Sequence, residues 1–131
     1  MLTRENRLTS SQKFSRAVRQ GRRAGTRTLV VHLDVDTTLQ QPQVGLVVSK
    51  AVGPAVTRNL VKRRLRHLSR ERLASLPESA VLVIRALPAS AEAPYAVLGA
   101  DLDRALERAQ RPTRRDRRPR PPARADRRVA P

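Results

Sequence analysis

The sequence predicts a mixed α+β fold, a two-layer sandwich in which helices pack against one small sheet. Short segments rich in β-branched residues alternate with longer segments whose apolar residues recur at helical spacing. Prolines or glycines stand between most of these segments. The predicted order along the chain is helix, strand, strand, helix, strand, helix.

The first half of the chain is predicted to form a helix and two strands. Ser10 or Ser11 is suited to cap the helix, and Gly21 stands where the helix should end. The strands cover residues 28–35 and 44–49, where β-branched residues are frequent. We expect the second strand to run antiparallel to the first.

The second half is predicted to form a long helix, a strand and a final helix. Pro54 suits the first position of the long helix, which should run over residues 54–74 and end before Pro77. The strand covers residues 81–85, and its continuous apolar character indicates burial on both faces. The final helix is marked by apolar residues at helical spacing, namely Leu98, Leu102, Ala105, Leu106 and Ala109.

Residues 1–110 are predicted to form one domain, and residues 111–131 a disordered tail. The tail holds nine Arg, two Asp and five Pro, a composition that cannot bury enough apolar surface to offset the entropy of ordering it. The chain has 28 basic and 11 acidic residues and therefore a net charge of +17, of which +7 belongs to the tail and +10 to the domain.

This charge favours a polyanionic partner, and nucleic acid is the polyanion it suits best, because neutralising phosphates releases counterions. An anionic membrane is disfavoured, since the chain has no Trp, one Phe and one Tyr to insert. The absence of Cys excludes disulfides and thiolate metal sites. With no signal peptide and no apolar run of about 20 residues, we expect a cytoplasmic protein.

The long helix concentrates basic residues on one side. At about 100° per residue, five cations and one amide fall within an arc of about 140°. We call these six residues the cationic stripe: Arg58, Asn59, Lys62, Arg63, Arg66 and Arg70. Val61, Leu65 and Leu68 fall together on another side, which should face the sheet.

The stripe differs from an ordinary solvated helix face, which usually carries acids four residues from its bases. The only acid in this helix is Glu71, at its far end. Cations four residues apart rise about 6 Å per step, a spacing that lets them bridge several phosphates of one strand. Asn59 adds a donor and an acceptor for a base edge or a 2′-hydroxyl. The pattern therefore indicates an RNA-binding helix.

The residues of this helix resemble a known signature. Residues 58–66 read Arg-Asn-Leu-Val-Lys-Arg-Arg-Leu-Arg, which resembles the arginine-asparagine signature of the bacterial ribonuclease P protein family. The resemblance extends over roughly residues 4–110. It includes residues 44–50, Gly53-x-Ala55-Val56, Arg85-x-x-Pro88-Ala89, Asn6-Arg7-Leu8 and Phe14.

The resemblance implies a fold like that of ribosomal protein S5 domain 2, with a left-handed βαβ crossover through the basic helix. It also implies that the chain is the protein subunit of ribonuclease P, paired 1:1 with a catalytic RNA that removes the 5′ leader of precursor tRNA. The RNA would perform the endonucleolytic step with Mg²⁺, which the RNA mainly holds. The cationic stripe would touch that RNA near its active centre.

The resemblance further implies a cleft for the single-stranded leader between the first helix and the sheet. The family lines this cleft with several aromatic residues. In this chain only Phe14 matches one of these aromatic residues. We therefore expect the leader to be bound mainly through its phosphate backbone and with little sequence selectivity. The expected leader-binding residues are Phe14, Val18, Arg27, Leu29, His32 and Lys50.

Other interpretations remain open. A ribosomal or other structural RNA-binding protein of the same fold is the main alternative. A DNA-binding helix-turn-helix is less favoured, because a strand and not a short helix precedes the basic helix. The pair Asp34 and Asp36 could bind Mg²⁺ but more often forms a turn, and His67 reads as an ordinary helix residue. A self-contained nuclease lacks any acid cluster.

Overall fold

The computed structural model describes residues 4–111. Three helices are α1 (Ser11–Gln20), α2 (Ala55–Glu71) and α3 (Tyr95–Gln110). Four strands are β1 (Arg22–Gly25), β2 (Leu29–Val35), β3 (Gln43–Val47) and β4 (Ala80–Ala86). The tail predicted for residues 111–131 lies outside the described residues, apart from Arg111, whose carbonyl accepts a hydrogen bond from Arg22.

The structure contains every predicted element and adds the strand β1. The Ser10 side chain caps α1 by accepting a hydrogen bond from the backbone of Lys13, and Gly21 ends the helix. A Cβ at position 21 would lie 2.5 Å from the carbonyl oxygen of Ala17, so this close turn requires glycine. The chain then enters β1 directly, a segment whose Arg-Arg-Ala-Gly sequence has little intrinsic strand preference.

The four strands form one sheet in the order β1-β2-β4-β3. The pairs β1–β2 and β2–β4 are antiparallel, and β3–β4 is parallel. The strand β3 therefore runs opposite to β2, as expected, but β4 lies between the two. The parallel pair β3 and β4 is joined by a crossover that contains α2. This connection places the cationic helix beside the sheet.

Both faces of the sheet are covered by helices. The larger core lies between the sheet and the pair α2 and α3. It includes Leu29, Leu33, Leu82, Ile84, Leu65, Leu98 and Leu102. The smaller cluster lies under α1 on the opposite face, where Val81 and Val83 meet Ala17, Phe14 and Val18. Successive strand residues point to opposite faces, so β4 is buried on both, as predicted.

The helices α2 and α3 pack closely on the larger core. A Cβ at Gly99 would lie 3.2 Å from Cδ2 of Leu68, so the small residue lets the helices approach. A buried hydrogen bond of 2.6 Å from the Thr28 hydroxyl to Asp101 ties the start of β2 to α3. None of the described helices is long and apolar enough to cross a membrane.

Candidate RNA-binding site

The helix α2 is held by an apolar seam that leaves the cationic stripe on its outer side. Val61, Leu65 and Leu68 are at most 2% exposed, which confirms the predicted seam. Of the stripe residues, Asn59, Arg63 and Arg70 are exposed, and Arg58, Lys62 and Arg66 are partly exposed. Because one side of the helix is fixed against the core, the stripe presents its side chains from a rigid base.

The stripe has no internal counter-ions within residues 4–111. Every ion pair between described side chains involves other cations. Glu71, the one acid of the helix, lies 3.6 Å from His67 and 3.4 Å from Arg72. The Arg58 side chain donates from Nε to the carbonyl oxygen of Gly53 at 3.1 Å, a neutral acceptor that orients the guanidinium without cancelling its charge. The stripe therefore presents a concentrated positive surface.

The carboxylates on the other side of the molecule are used differently. Asp36 lies 3.4 Å from the Lys13 ammonium, and Asp34 lies 3.3 Å from Arg16, so both acids tie α1 to the end of β2. Asp36 also accepts hydrogen bonds from the backbone and hydroxyl of Thr38, and the hydroxyl bond is the main reason that its pKa is lowered. These contacts make Asp36 a turn-forming residue.

No group of three or more metal-ligating side chains occurs among the described residues. Asp34 and Asp36 line a cavity between α1 and the end of β2, but each is paired there with a cation of α1. Carboxylates already paired with cations are poor ligands for Mg²⁺, so the two acids do not fit a Mg²⁺ site.

An open groove runs between α1 and the sheet. Its walls are Phe14, Ser15, Val18, Arg19 and Arg85. Phe14 packs against the backbone of β3 at Gly45, where an added Cβ would lie 2.9 Å from Cε2 of the ring. The groove thus combines an apolar wall with two guanidinium groups, a combination that suits a single nucleic-acid strand.

The predicted leader-binding residues do not all meet at this groove. Phe14 and Val18 line it. Arg27 is exposed in the turn between β1 and β2, and Lys50 is exposed in the turn that follows β3, so neither forms a wall of the groove. These two cations lie outside the groove walls.

Leu29 and His32 are corrections to the predicted cleft. Leu29 is fully buried in the larger core, on the face of the sheet opposite α1, so it is unable to contact a leader under α1. The strand alternation that begins at Leu29 gives Val30 to the α1 face instead. His32 does lie on the α1 face but is only 5% exposed, so its ring offers no free face for stacking.

Burial also disfavours the charged form of His32. Desolvation lowers the pKa of its imidazole, and the charges of Arg85 and Arg23 lower it further. Its Nδ1 atom is the one buried side-chain nitrogen or oxygen without a hydrogen-bond partner in the described part of the chain. Two cations that sequence reasoning did not assign to the leader, Arg19 and Arg85, line the groove.

A sequence signal for Arg85 and Arg19 exists. Arg85 is two residues beyond Val83 on β4 and therefore shares the α1 face, where it is the first charged residue after an apolar run. Arg19 follows Val18, which lines the groove. The positions of both arginines could therefore have been predicted from the sequence. Arg85 follows from the alternation of faces along a strand, and Arg19 from its place next to Val18 on α1.

Known proteins resemble this chain over most of its length. A family described as Ribonuclease P matches residues 2–110. The chain is 54% identical over 116 residues to the "Ribonuclease P protein component" of Streptomyces griseus, covering 82% of this chain and 94% of that protein. It is 58% identical over 110 residues to the protein of the same description from Nocardioides sp., with the same two coverages.

Solved structures of similar fold include two RNase P proteins. That from Staphylococcus aureus superposes with a TM-score of 0.72 at 23% identity, covering 80% of this chain and 95% of the other. That from Thermotoga maritima gives a TM-score of 0.70 at 20% identity, covering 80% and 98%. These likenesses confirm the predicted fold. The match to the family over nearly all of the described residues, together with relatives above 50% identity, shows that the chain belongs to the bacterial ribonuclease P protein family.

Proposed function

We propose that this chain binds the catalytic RNA of ribonuclease P through the cationic stripe and the 5′ leader of precursor tRNA through the groove beneath α1. In this way it assists the endonucleolytic maturation of the tRNA 5′ end. The observation that carries the proposal is the stripe on a rigid helix, with no carboxylate within 4 Å of its cations in residues 4–111. Phosphates of a folded RNA would supply the missing negative charge.

The chemical step belongs to the RNA in this proposal. Asp34 and Asp36, at the end of β2, are paired with cations of α1 and offer no general base or metal ligand to a scissile phosphate. Mg²⁺ would be held mainly by the RNA, where it would activate water and stabilise the leaving oxygen. One protein would pair with one RNA, and the particle would act in the cytoplasm, where bacterial precursor tRNA is made.

Leader binding would combine shape with charge. The ring of Phe14 and the side chain of Val18 give an apolar wall, and Arg19 and Arg85 can reach the leader backbone. Aromatic stacking is available at Phe14 alone along the groove walls, so the leader would be held largely through its phosphates. We therefore expect little preference for a particular leader base, and a strong preference at one position would contradict this account.

Reconstitution tests the proposal. The full chain is added to a bacterial catalytic RNA, and cleavage of a precursor tRNA is timed at low Mg²⁺. We expect the chain to raise the rate at the authentic 5′ site, and the variant Arg58→Ala/Lys62→Ala to need a higher protein concentration for the same rate. A chain that leaves cleavage unchanged at saturating concentration overturns the proposed function.

The same experiment separates the main alternative. A ribosomal or other structural RNA-binding protein of this fold would bind structured RNA through the same stripe without raising precursor cleavage. The high identity to proteins described as the ribonuclease P protein component favours the first interpretation.

A further inference from the structure

Two of the few aromatic side chains of this protein come together on its surface. The chain has one Phe, one Tyr, two His and no Trp. Phe14 lines the groove and His32 is buried. The remaining two rings, His67 on α2 and Tyr95 on α3, face each other with centroids 6.2 Å apart and planes tilted by 52°. Tyr95 is 38% exposed, and the side chain of His67 is 57% exposed.

Apolar residues of α2 extend this surface. Val56 is 82% exposed and Leu60 is 37% exposed. At about 100° per residue, these two and His67 lie within an arc of about 40° on α2. We call Val56, Leu60, His67 and Tyr95 the aromatic patch.

The aromatic patch borders the cationic stripe. Arg63 of the stripe lies about 20° from Val56 on the helix wheel and about 40° from His67, so the two surfaces meet without a gap. Arg64, on the far side of the patch, donates from Nη1 to the carbonyl oxygen of Ala93 at 3.2 Å and thereby anchors the segment that leads into Tyr95. This contact and the packing of α3 hold the start of α3, and with it the backbone of Tyr95, beside α2.

We propose that the aromatic patch is a second RNA contact, in which an unpaired nucleotide of the RNA bound by the stripe stacks on the ring of Tyr95. The inference rests on the proposed function of the stripe. Exposed rings next to guanidinium groups are the combination that holds unstacked bases, because every base has an apolar face and a phosphate attached to it. The carboxylate of Glu71 lies 3.6 Å from His67 and would repel a phosphate on that side, so the phosphate would approach from the side of Arg63.

Charge argues for RNA as the occupant and against a second copy of this chain. Two copies that met through the patch would bring their adjacent stripes together, and each domain carries a net charge of +10. Within residues 4–111 no carboxylate pairs with the stripe cations, so such a contact would be repulsive. A nucleotide joined to the phosphates on the stripe removes this repulsion.

The test uses the full chain and a bacterial catalytic RNA, with the dissociation constant measured at several salt concentrations. Tyr95→Leu keeps apolar bulk and removes the ring, Tyr95→Phe keeps the ring, and Val97→Ala is the matched control. Val97 is 42% exposed, close to Tyr95, but lies on the opposite side of α3. Thermal unfolding of each variant establishes that the fold is retained.

We expect Tyr95→Leu to weaken binding about tenfold at every salt concentration, since stacking on one base contributes about this much. The substitution removes no charge. The slope of the logarithm of the association constant against the logarithm of the salt concentration should therefore equal that of the unaltered chain. Tyr95→Phe and Val97→Ala should bind like the unaltered chain. Equal binding by Tyr95→Leu and Val97→Ala overturns the inference.

Two further outcomes are distinguishable. If Arg58→Ala/Lys62→Ala weakens binding and Tyr95→Leu does not, the inference fails and the proposed function stands. If neither variant weakens binding, the stripe is not the RNA surface and the proposed function fails as well. A protein that sediments as a dimer and becomes monomeric on Tyr95→Leu, with unchanged RNA affinity, would assign the patch to a second copy and overturn the inference.

Discussion

Arg72, directly after α2, grips the carboxylate of Asp103 in α3 through two hydrogen bonds. The distances are 2.6 Å from Nε to Oδ1 and 3.1 Å from Nη2 to Oδ2. Its Nη1 also donates to the carbonyl oxygen of Leu68 at 2.9 Å. The hydrogen bonding that Arg72 donates to Asp103 is the main reason that the pKa of Arg72 is raised. These hydrogen bonds of Arg72 hold the end of α2 against α3.

We expect Asp103→Asn to lower the free energy of unfolding, because it removes the negative charge that the guanidinium of Arg72 binds. The Asp103 side chain is 60% exposed, so solvent screening limits the loss to about 0.5–1 kcal/mol. That loss corresponds to a fall in Tm of roughly 2–8 °C for a domain of this size. Glu92→Gln is the control, since it removes an exposed charge with no ion pair among the described residues. Equal melting of the two variants would contradict the role of these hydrogen bonds.

Gly45→Ala should disturb the groove. The added Cβ would lie 2.9 Å from Cε2 of Phe14 and 3.1 Å from Cδ2 of Leu8, so the ring has to move. We expect a loss of stability of about 1–3 kcal/mol and a weaker affinity of the holoenzyme for precursor tRNA that carries a leader. Affinity for leaderless tRNA should change little.

Gly25→Ala is the matched control for this substitution. It also adds a methyl group to a strand, but there the Cβ would lie at an ordinary 3.6 Å from Cγ2 of Val30. If both variants bind the leader equally well, Phe14 does not shape the leader site.

Stability should fall as the pH drops below about 6.5, in part through His32. Its pKa is lowered in the folded protein, chiefly by burial and then by Arg85 and Arg23. In the unfolded chain the imidazole of His32 therefore binds a proton near pH 6.5, whereas in the folded chain it binds one only at lower pH. The contribution of His32 to the free energy of unfolding is complete above the pKa of the unfolded chain. It is lost as the pH falls from there through the lower pKa of the folded chain.

Chemical unfolding of the unaltered chain and of His32→Leu at pH 7.5, 6.5 and 5.5 measures this contribution. We expect the free energy of unfolding to decrease less steeply with falling pH in the variant, which has no imidazole to protonate. Parallel curves for the two proteins would show that His32 is not held neutral by the fold.

Helical periodicity made the central site predictable from the sequence. Both the apolar seam and the cationic stripe beside it follow from 3.6 residues per turn. In the structure the seam residues Val61, Leu65 and Leu68 are buried, and the stripe residues are partly or fully exposed. A charged stripe that lacks acids four residues away is visible without any tertiary information. The same reasoning located α3, and the continuous apolar run of residues 81–85 predicted the doubly buried β4.

The parts that the sequence did not predict depend on pairing. The strand β1 has no strand preference of its own and exists because Arg22–Gly25 pairs with β2. Leu29 was assigned to the cleft although a shift of one residue along a strand changes the face, and the structure gives that face to Val30. The insertion of β4 between β2 and β3 is likewise a matter of topology, which local patterns do not encode.

The salt dependence of binding tests the central claim most directly. The claim is that the cationic stripe takes its counter-ions from RNA. The measurement is the dissociation constant of the full chain for a bacterial catalytic RNA over a range of salt concentrations. The control variant Arg104→Ala/Arg111→Ala removes two cations that pair with Asp101 and Glu107, away from the stripe.

We expect Arg58→Ala/Lys62→Ala to weaken binding and to reduce the slope of log K against log salt by about 1.4–1.8, the contribution of two phosphate contacts. The control should leave the slope close to that of the unaltered chain, although it removes the same charge. Equal slopes for the two double variants would show that binding follows net charge alone and would contradict the account.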